Sequence, residues 1–387
     1  MQALTSTEIG ALTTAQIANL TTTEVQALTT AEIAALTSAQ VNAPTTAEAA
    51  ALTSTQAPAF TSAALAGMTS AQLNAMATAA ATALTSVQVP GLATAALAGL
   101  STTDIAGLST GVIAALTTAQ VMALGTAQVA AMTTAGVRAF TTAQVRALTT
   151  AQIANLTTTE VQALTSTEIG ALTSAQVNAL VTAEAAALTS SQAPAFTSAA
   201  LAGMTSAQLN AMATAAATAL TSTQMPGLAT AALAGLSTTD IAGLANSAVA
   251  ALTTAQTMAL GTAQVAAMTT GQVAALKTDQ IRALTTAQIA NLTTTEVQAL
   301  TTAEIAALTS AQVNALTTAE AAALTSIPAP AFTSAALAGM TSAQLNAMAT
   351  AAATAPTSVQ VPGLSTAALA GLSTTDIAGL RQASSPP

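Results

Sequence analysis

The chain has no cysteine, no histidine, no tryptophan and no tyrosine. Without cysteine there is neither a disulfide nor a thiolate, a state that fits the cytoplasm and many bacterial secreted proteins alike. Without histidine or cysteine, most metal sites, general bases and nucleophile activators are removed as well. Charge is scarce: 5% of the 387 residues are charged, with 14 acids against 5 bases, and Lys277 is the only lysine. A net charge of -9 leaves no cationic surface to neutralise a row of phosphates, so nucleic acid is not expected as a partner. Long apolar runs are missing too. Mean hydropathy is +0.62, yet Thr, Ser, Gln or Glu breaks every short stretch, and nothing approaches the roughly 18 consecutive apolar residues of a transmembrane helix. The opening MQALTSTEIG shows neither a basic n-region nor an apolar h-region, so no signal peptide is expected. It begins inside the repeat described next, as a piece of a longer chain would.

What fills the sequence is one repeat. From Leu4 an apolar residue recurs every eight positions through Leu12, Leu20, Leu28 and Leu36, and the phase still holds at Leu364, Leu372 and Leu380. This row contains 48 positions without insertion or deletion. Its exceptions to Leu include Met68, Met76, the four phenylalanines Phe60, Phe140, Phe196 and Phe332, and the prolines Pro44 and Pro356. The octad reads L-T-T-A-[QE]-[IV]-A-A, with a second apolar row at the sixth position (Ile9, Ile17, Val25, Ile33). A longer period overlies it: ALTTAQIANLTTTEVQAL begins at Ala11, Ala147 and Ala283, and GLSTTDIAGL at Gly99, Gly235 and Gly371, giving blocks of 136 residues, or 17 octads. Tandem duplication accounts for this, and a match to whole superhelical turns is the sharper alternative.

The octad predicts a short capped helix. In Leu4-Thr5-Ser6-Thr7-Glu8-Ile9, the Thr5 hydroxyl is placed to accept the backbone N–H three residues on, and Glu8 to reach back to the Thr5 N–H, as in a capping box. Leu4 and Ile9 then have the spacing of a hydrophobic staple. Thirteen of the 14 acids share the position of Glu8: Glu24, Glu32, Glu48, Asp104, Glu160, Glu168, Glu184, Asp240, Glu296, Glu304, Glu320 and Asp376; only Asp279 is out of register. Gln fills the slot elsewhere, so hydrogen bonding there matters more than charge. Gly67, Gly91, Gly99, Gly107, Asn19 and Asn155 close their octads, where a left-handed residue is expected to end the helix. Pro58, Pro90, Pro194, Pro226, Pro330 and Pro362 at the seventh position are expected to stop it by restricting the residue before them.

A continuous helix does not fit, because a period of eight rotates the apolar row by about 80° per repeat and no stripe forms. A β-solenoid is the closer rival, but its strands would show two-residue alternation and little Ala. A lone octad cannot fold, since ordering its residues costs on the order of 1–2 kcal/mol each, whereas burying its two aliphatic side chains returns roughly 1.5–3 kcal/mol each. The expectation is therefore an all-α solenoid or superhelix of short capped helices, one per octad, over residues 1–380, with Leu and Ile/Val pointing inward and Thr, Ser and Gln outward, and a disordered tail at 381–387.

The search for chemistry returns no catalytic, cofactor-binding or metal-binding residue. Hydroxyls without a neighbouring base are caps or solvated groups, and paired acids such as Glu24 and Glu32 each have a capping partner rather than a metal-loop pattern. Arg138, Arg146 and Arg282 at the seventh position are expected on the surface; Arg138 and Arg146 form a docking patch or, more simply, a solvated face. Met68, Met76, Met204, Met212, Met340 and Met348 lie in the core row.

Octads of the kind in ALTTAQIANLTTTEVQAL resemble repeat regions of very large, adhesin-like bacterial surface or secreted proteins. The resemblance spans residues 4 to 380 and implies an extracellular stalk or filament-forming scaffold without catalysis, associating end to end with itself or joined to flanking domains of a larger chain. A Thr array that binds ice is the alternative, with the first Thr of each octad already committed to capping.

Overall fold

The computed structural model describes residues 5–76, 78–212, 214–324, 331–349 and 360–374. Leu4, Pro330, Pro356, Asp376, Leu380 and the 381–387 tail lie outside the described residues. The chain divides into two compact units, Met1–Leu188 and Thr189–Pro387. Each is built from short helices, and no strand occurs among the described residues.

The α-helices begin at the third octad position and, apart from the eight-residue Ser342–Ala349, run for four to six residues, as in Thr14–Ile17, Thr118–Ala123 and Thr254–Ala259. The preceding Thr is the N-cap, held extended (Thr21 φ -76°, ψ 158°; Thr141 φ -77°, ψ 159°), with its hydroxyl accepting the N–H three residues on. That geometry is what a β-region cap requires. The residue of the apolar row closes many of these helices: Leu28 sits at φ -63°, ψ 132° and Leu164 at φ -58°, ψ 129°. One side chain thus ends a helix and immediately precedes the cap of the next.

Two stop signals act differently from expectation. None of Gly67, Gly91, Gly99 and Gly107 takes the left-handed conformation, and Gly99 lies at φ -92°, ψ -1°. Extended Leu residues already redirect the chain, and most of these glycines are needed for close approach between turns. Asn19 and Asn155 instead donate from Nδ2 to the carbonyls of Ala15 and Ala151, four residues back in the same helix. The prolines do not halt the octad either. Pro58, Pro90, Pro194, Pro226 and Pro362 lie inside 3₁₀ turns such as Ala57–Ala59 and Val89–Gly91. The ring removes one N–H, and the tighter turn keeps the octad in phase.

Within each unit, helices three octads apart pack together: Thr118–Ala123 lies on Thr142–Ala147, and Thr254–Ala259 on Thr278–Ala283. Both apolar rows are buried, with Val121 and Val145 fully enclosed and Leu116 and Leu148 nearly so. The outward placement of Gln is overturned, because Gln120, Gln144 and Gln272 are as buried as the aliphatic residues. The reason lies in the hydrogen bonds these amides make.

Candidate functional site

The fifth octad position is the most chemically specified site in the molecule. At Gln144, the Oε1 atom accepts the Thr141 N–H at 2.7 Å, while the Gln144 N–H donates to Thr141 Oγ1 at 3.3 Å. The same side chain then reaches out of its own octad, where Nε2 donates to the carbonyls of Ile113 and Leu116, both at 2.7 Å. Those carbonyls belong to the C-terminal end of a helix, where the Ile113 carbonyl otherwise accepts only the N–H of the C-cap residue Leu116. The amide orientation follows from the partners: an N–H on one side needs the oxygen, and two carbonyls on the other need the nitrogen.

This arrangement recurs in register. In the first unit, Gln40 bonds Ile9 and Leu12, Gln56 bonds Val25 and Leu28, and Gln176 bonds Val145 and Leu148. In the second, Gln224 bonds Ala193 and Phe196, Gln272 bonds Ile241 and Leu244, and Gln312 bonds Ile281 and Leu284. The bonds reach 28 and 31 residues back, whereas the Asn42 Nδ2 bond to the Gly67 carbonyl reaches 25 forward. A neighbouring turn therefore lies between three and four octads away. The result is a ladder of buried side-chain amides, each closing its own cap and clamping the turn before it.

Asp changes the pattern because it is one methylene shorter. Asp104 Oδ2 accepts the Ser101 hydroxyl at 2.6 Å and the Asp104 N–H donates to Ser101 Oγ. The Ser101 main-chain N–H is instead taken by Asn74 Oδ1 from the neighbouring turn, at 2.8 Å. Asn74 Nδ2 donates at the same time to the Gly99 carbonyl. Asn210 repeats both bonds with Ser237 and Gly235. These asparagines are functional contacts that sequence reasoning missed; the only signal was their recurrence 27 residues before the Ser of each described S-T-T-D octad.

Glu retains the acceptor half and loses the donor half. Glu160 and Glu168 accept the N–H groups of Thr157 and Thr165 through Oε2, each at 2.6 Å. Their Oε1 atoms, with those of Glu184 and Glu296, are buried without a partner. Burial pushes the carboxyls of Glu160, Glu168 and Glu304 above the ordinary range, and that of Glu184 up to about 7, where the nearby Glu160 adds to the effect. The more accessible Glu8 and Glu24 move the other way, held low first by the backbone N–H and then by the hydroxyl of Thr5 and Thr21.

The remaining sequence candidates are placed as follows. Glu24 and Glu32 each bind their own capping Thr, and among the described residues no group of three metal-ligating side chains forms. Arg138, Arg146 and Arg282 are exposed. Met68, Met76, Met204, Met212, Met340 and Met348 are buried in the core row. Lys277 stands at an N-cap, where its main-chain N–H donates to Gln280 Oε1. Among the described residues, no helix is long and apolar enough to cross a membrane.

The chain matches the ALTTAQ repeat family over residues 97–134, 121–158, 134–166, 233–270, 249–278, 258–294, 266–302 and 294–326. No curated protein matches it.

Proposed function

From a chain that carries ALTTAQ repeats, we propose a non-catalytic structural scaffold, acting outside the cell as a stalk or as a filament subunit at a bacterial surface. The observation that supports this reading is the amide ladder: the polar side chains that are buried serve to cap helices and bond turns, as Gln144 and Asn74 do. A solenoid held by nearest-neighbour bonds lengthens by adding repeats at little cost in design, which is what a spacer requires. Its partners on this reading are further copies of itself, end to end, or flanking domains of a longer chain.

Small-angle scattering and sedimentation of the full chain over a range of concentrations test this. A maximum dimension that grows with each added 136-residue block supports the spacer, and growth of mass with concentration supports the filament. A dimension that stays constant as blocks are added would sink both. Surface proteolysis of cells bearing the chain tests location, with a chain left intact on protease-treated whole cells counting against the extracellular placement. The ice-binding alternative predicts thermal hysteresis from the exposed third-position Thr row, for example Thr118, Thr142 and Thr150.

A further inference from the structure

Glu160, Glu168, Glu184 and Glu296 occupy the ladder position that Gln holds in neighbouring octads. In each, one carboxyl oxygen accepts the cap N–H, of Thr157, Thr165, Val181 or Thr293. The other, Oε1, stands where Gln carries Nε2, and it is buried without a partner. The Gln geometry identifies what that atom faces: main-chain carbonyls 31 and 28 residues back, which for Glu160 are Val129 and Met132 and for Glu184 are Ile153 and Leu156. Both are acceptors, so an ionised carboxylate opposes them, and only an added proton turns Oε1 into a donor.

We propose that Glu160, Glu168 and Glu184 are proton-operated clasps: protonated on Oε1, each donates its one O–H to a carbonyl of the preceding turn and closes the ladder there, and ionised, each leaves that turn unclamped. The proton comes from solvent and no covalent bond changes. The charged surroundings are few. Glu160 packs against Thr134–Val137, which Arg138 follows, and against Thr182–Ala187, which carries Glu184. Glu168 packs on Thr142–Ala147, which carries the exposed Arg146, and Arg138 favours its ionised form.

The direction of the pH effect follows from linkage. A buried carboxyl that ionises less readily when folded holds its proton more tightly in the native state, so its contribution is complete below the ordinary carboxyl range and is lost as pH rises through the folded value. For Glu184 that loss runs from 4.5 to about 7. The cap of Glu184 is Val181, which supplies no hydroxyl to hold the anion, so this clasp opens last.

The test is thermal unfolding of the full chain, followed by circular dichroism at about pH 5 and about pH 7.5, beside a variant carrying E160Q, E168Q and E184Q. The expected result is a midpoint higher by about 5 °C at the lower pH in the wild type. In the variant, the midpoint at the higher pH should rise and most of the difference should disappear. Infrared spectra at about pH 6 should show a protonated-acid carbonyl band in the wild type that is weaker in the variant, which keeps the buried Glu304. A wild-type midpoint that is equal or lower at pH 5, a difference that survives all three substitutions, or the lack of the acid band would each overturn the proposal.

Discussion

Ser38 fills the space that any side chain on Gly67 would need: a β-carbon there would stand 1.8 Å from the Ser38 carbonyl oxygen and 2.6 Å from its carbonyl carbon. The same offset of 29 residues joins Gly91 to Ser62, Gly99 to Ser70 and Gly235 to Ser206. Where turns come this close, one residue has no side chain and the other has a small one.

The atoms in contact determine which substitutions are repairable. At Gly67 the obstacle is main chain, so Gly67→Ala should destabilise the first unit by roughly 1–3 kcal/mol, and Ser38→Gly should not restore it. At Gly99 the obstacle is the Ser70 side chain, with Cβ at 2.3 Å and Oγ at 2.6 Å from the added carbon. Gly99→Ala should therefore be rescued by Ser70→Gly. Denaturant unfolding of the four variants measures this, and equal rescue at both sites would contradict the contact assignment.

The Gln144 amide donates to three carbonyls of a neighbouring turn, those of Ile113, Ala114 and Leu116, and accepts one N–H within its own cap. Replacing it with Met keeps the volume and removes these bonds, leaving the Leu116 carbonyl and the Thr141 N–H without their partner, while the Ile113 carbonyl keeps only the Leu116 N–H. A net hydrogen bond contributes about 1 kcal/mol and an unsatisfied buried group costs about 1–3 kcal/mol, so Gln144→Met should lower stability by roughly 3–5 kcal/mol. Thr141→Ala removes only the hydroxyl half of the cap and should cost about 1 kcal/mol. Urea unfolding of both variants tests the ranking, and a larger loss for Thr141→Ala would mean that local capping outweighs the ladder.

Much of this architecture was legible in the sequence because helix capping is a local device. Thr21 and Glu24 are three residues apart, and their mutual bonds follow from the chain between them. The two aliphatic rows were equally readable from the period of eight. What could not be read was the reach of Gln144 to Ile113, because that bond depends on the number of octads in a turn, and no local rule sets this number. Gln therefore looked like a surface cap residue, although its second function places it in the interior. The glycines were misjudged for the same reason. A residue at the end of a helix is locally a candidate for the left-handed conformation, but Gly67 is fixed by Ser38 from another turn.

Asn74 and Asp104 test whether one turn can complete the cap of another. Asn74 Oδ1 accepts the Ser101 N–H that the short Asp104 side chain leaves free. Asn74→Ala should therefore destabilise by roughly 1–2 kcal/mol, since it strands that N–H and removes the donor to the Gly99 carbonyl. Asp104→Glu adds the methylene needed for a full capping box and should recover part of the loss in the Asn74→Ala background, with little gain alone. A double-mutant cycle on thermal midpoints gives the coupling. Strictly additive effects would show that the two residues act separately.

The strongest demand of the ladder is phase, and an insertion measures it. Adding one Ala between Leu148 and Thr149 moves each Gln whose carbonyl partners lie before the insertion one position relative to them, so the amides of Gln152 and Gln176 lose Val121, Leu124, Val145 and Leu148 together. Adding a whole octad, TTAQIAAL, at the same point keeps each position in its role and changes only which octad lies behind which. Bonds reaching 28 and 31 residues back are then remade to new carbonyls of the same kind, because every octad presents the same pair. The single insertion should broaden or split the unfolding transition of the first unit, while the eight-residue insertion should leave a cooperative transition with helical dichroism raised in proportion to length. Calorimetry distinguishes the two outcomes. Equal tolerance of both insertions would mean that the turns are held by apolar contact alone and that the amide register is incidental.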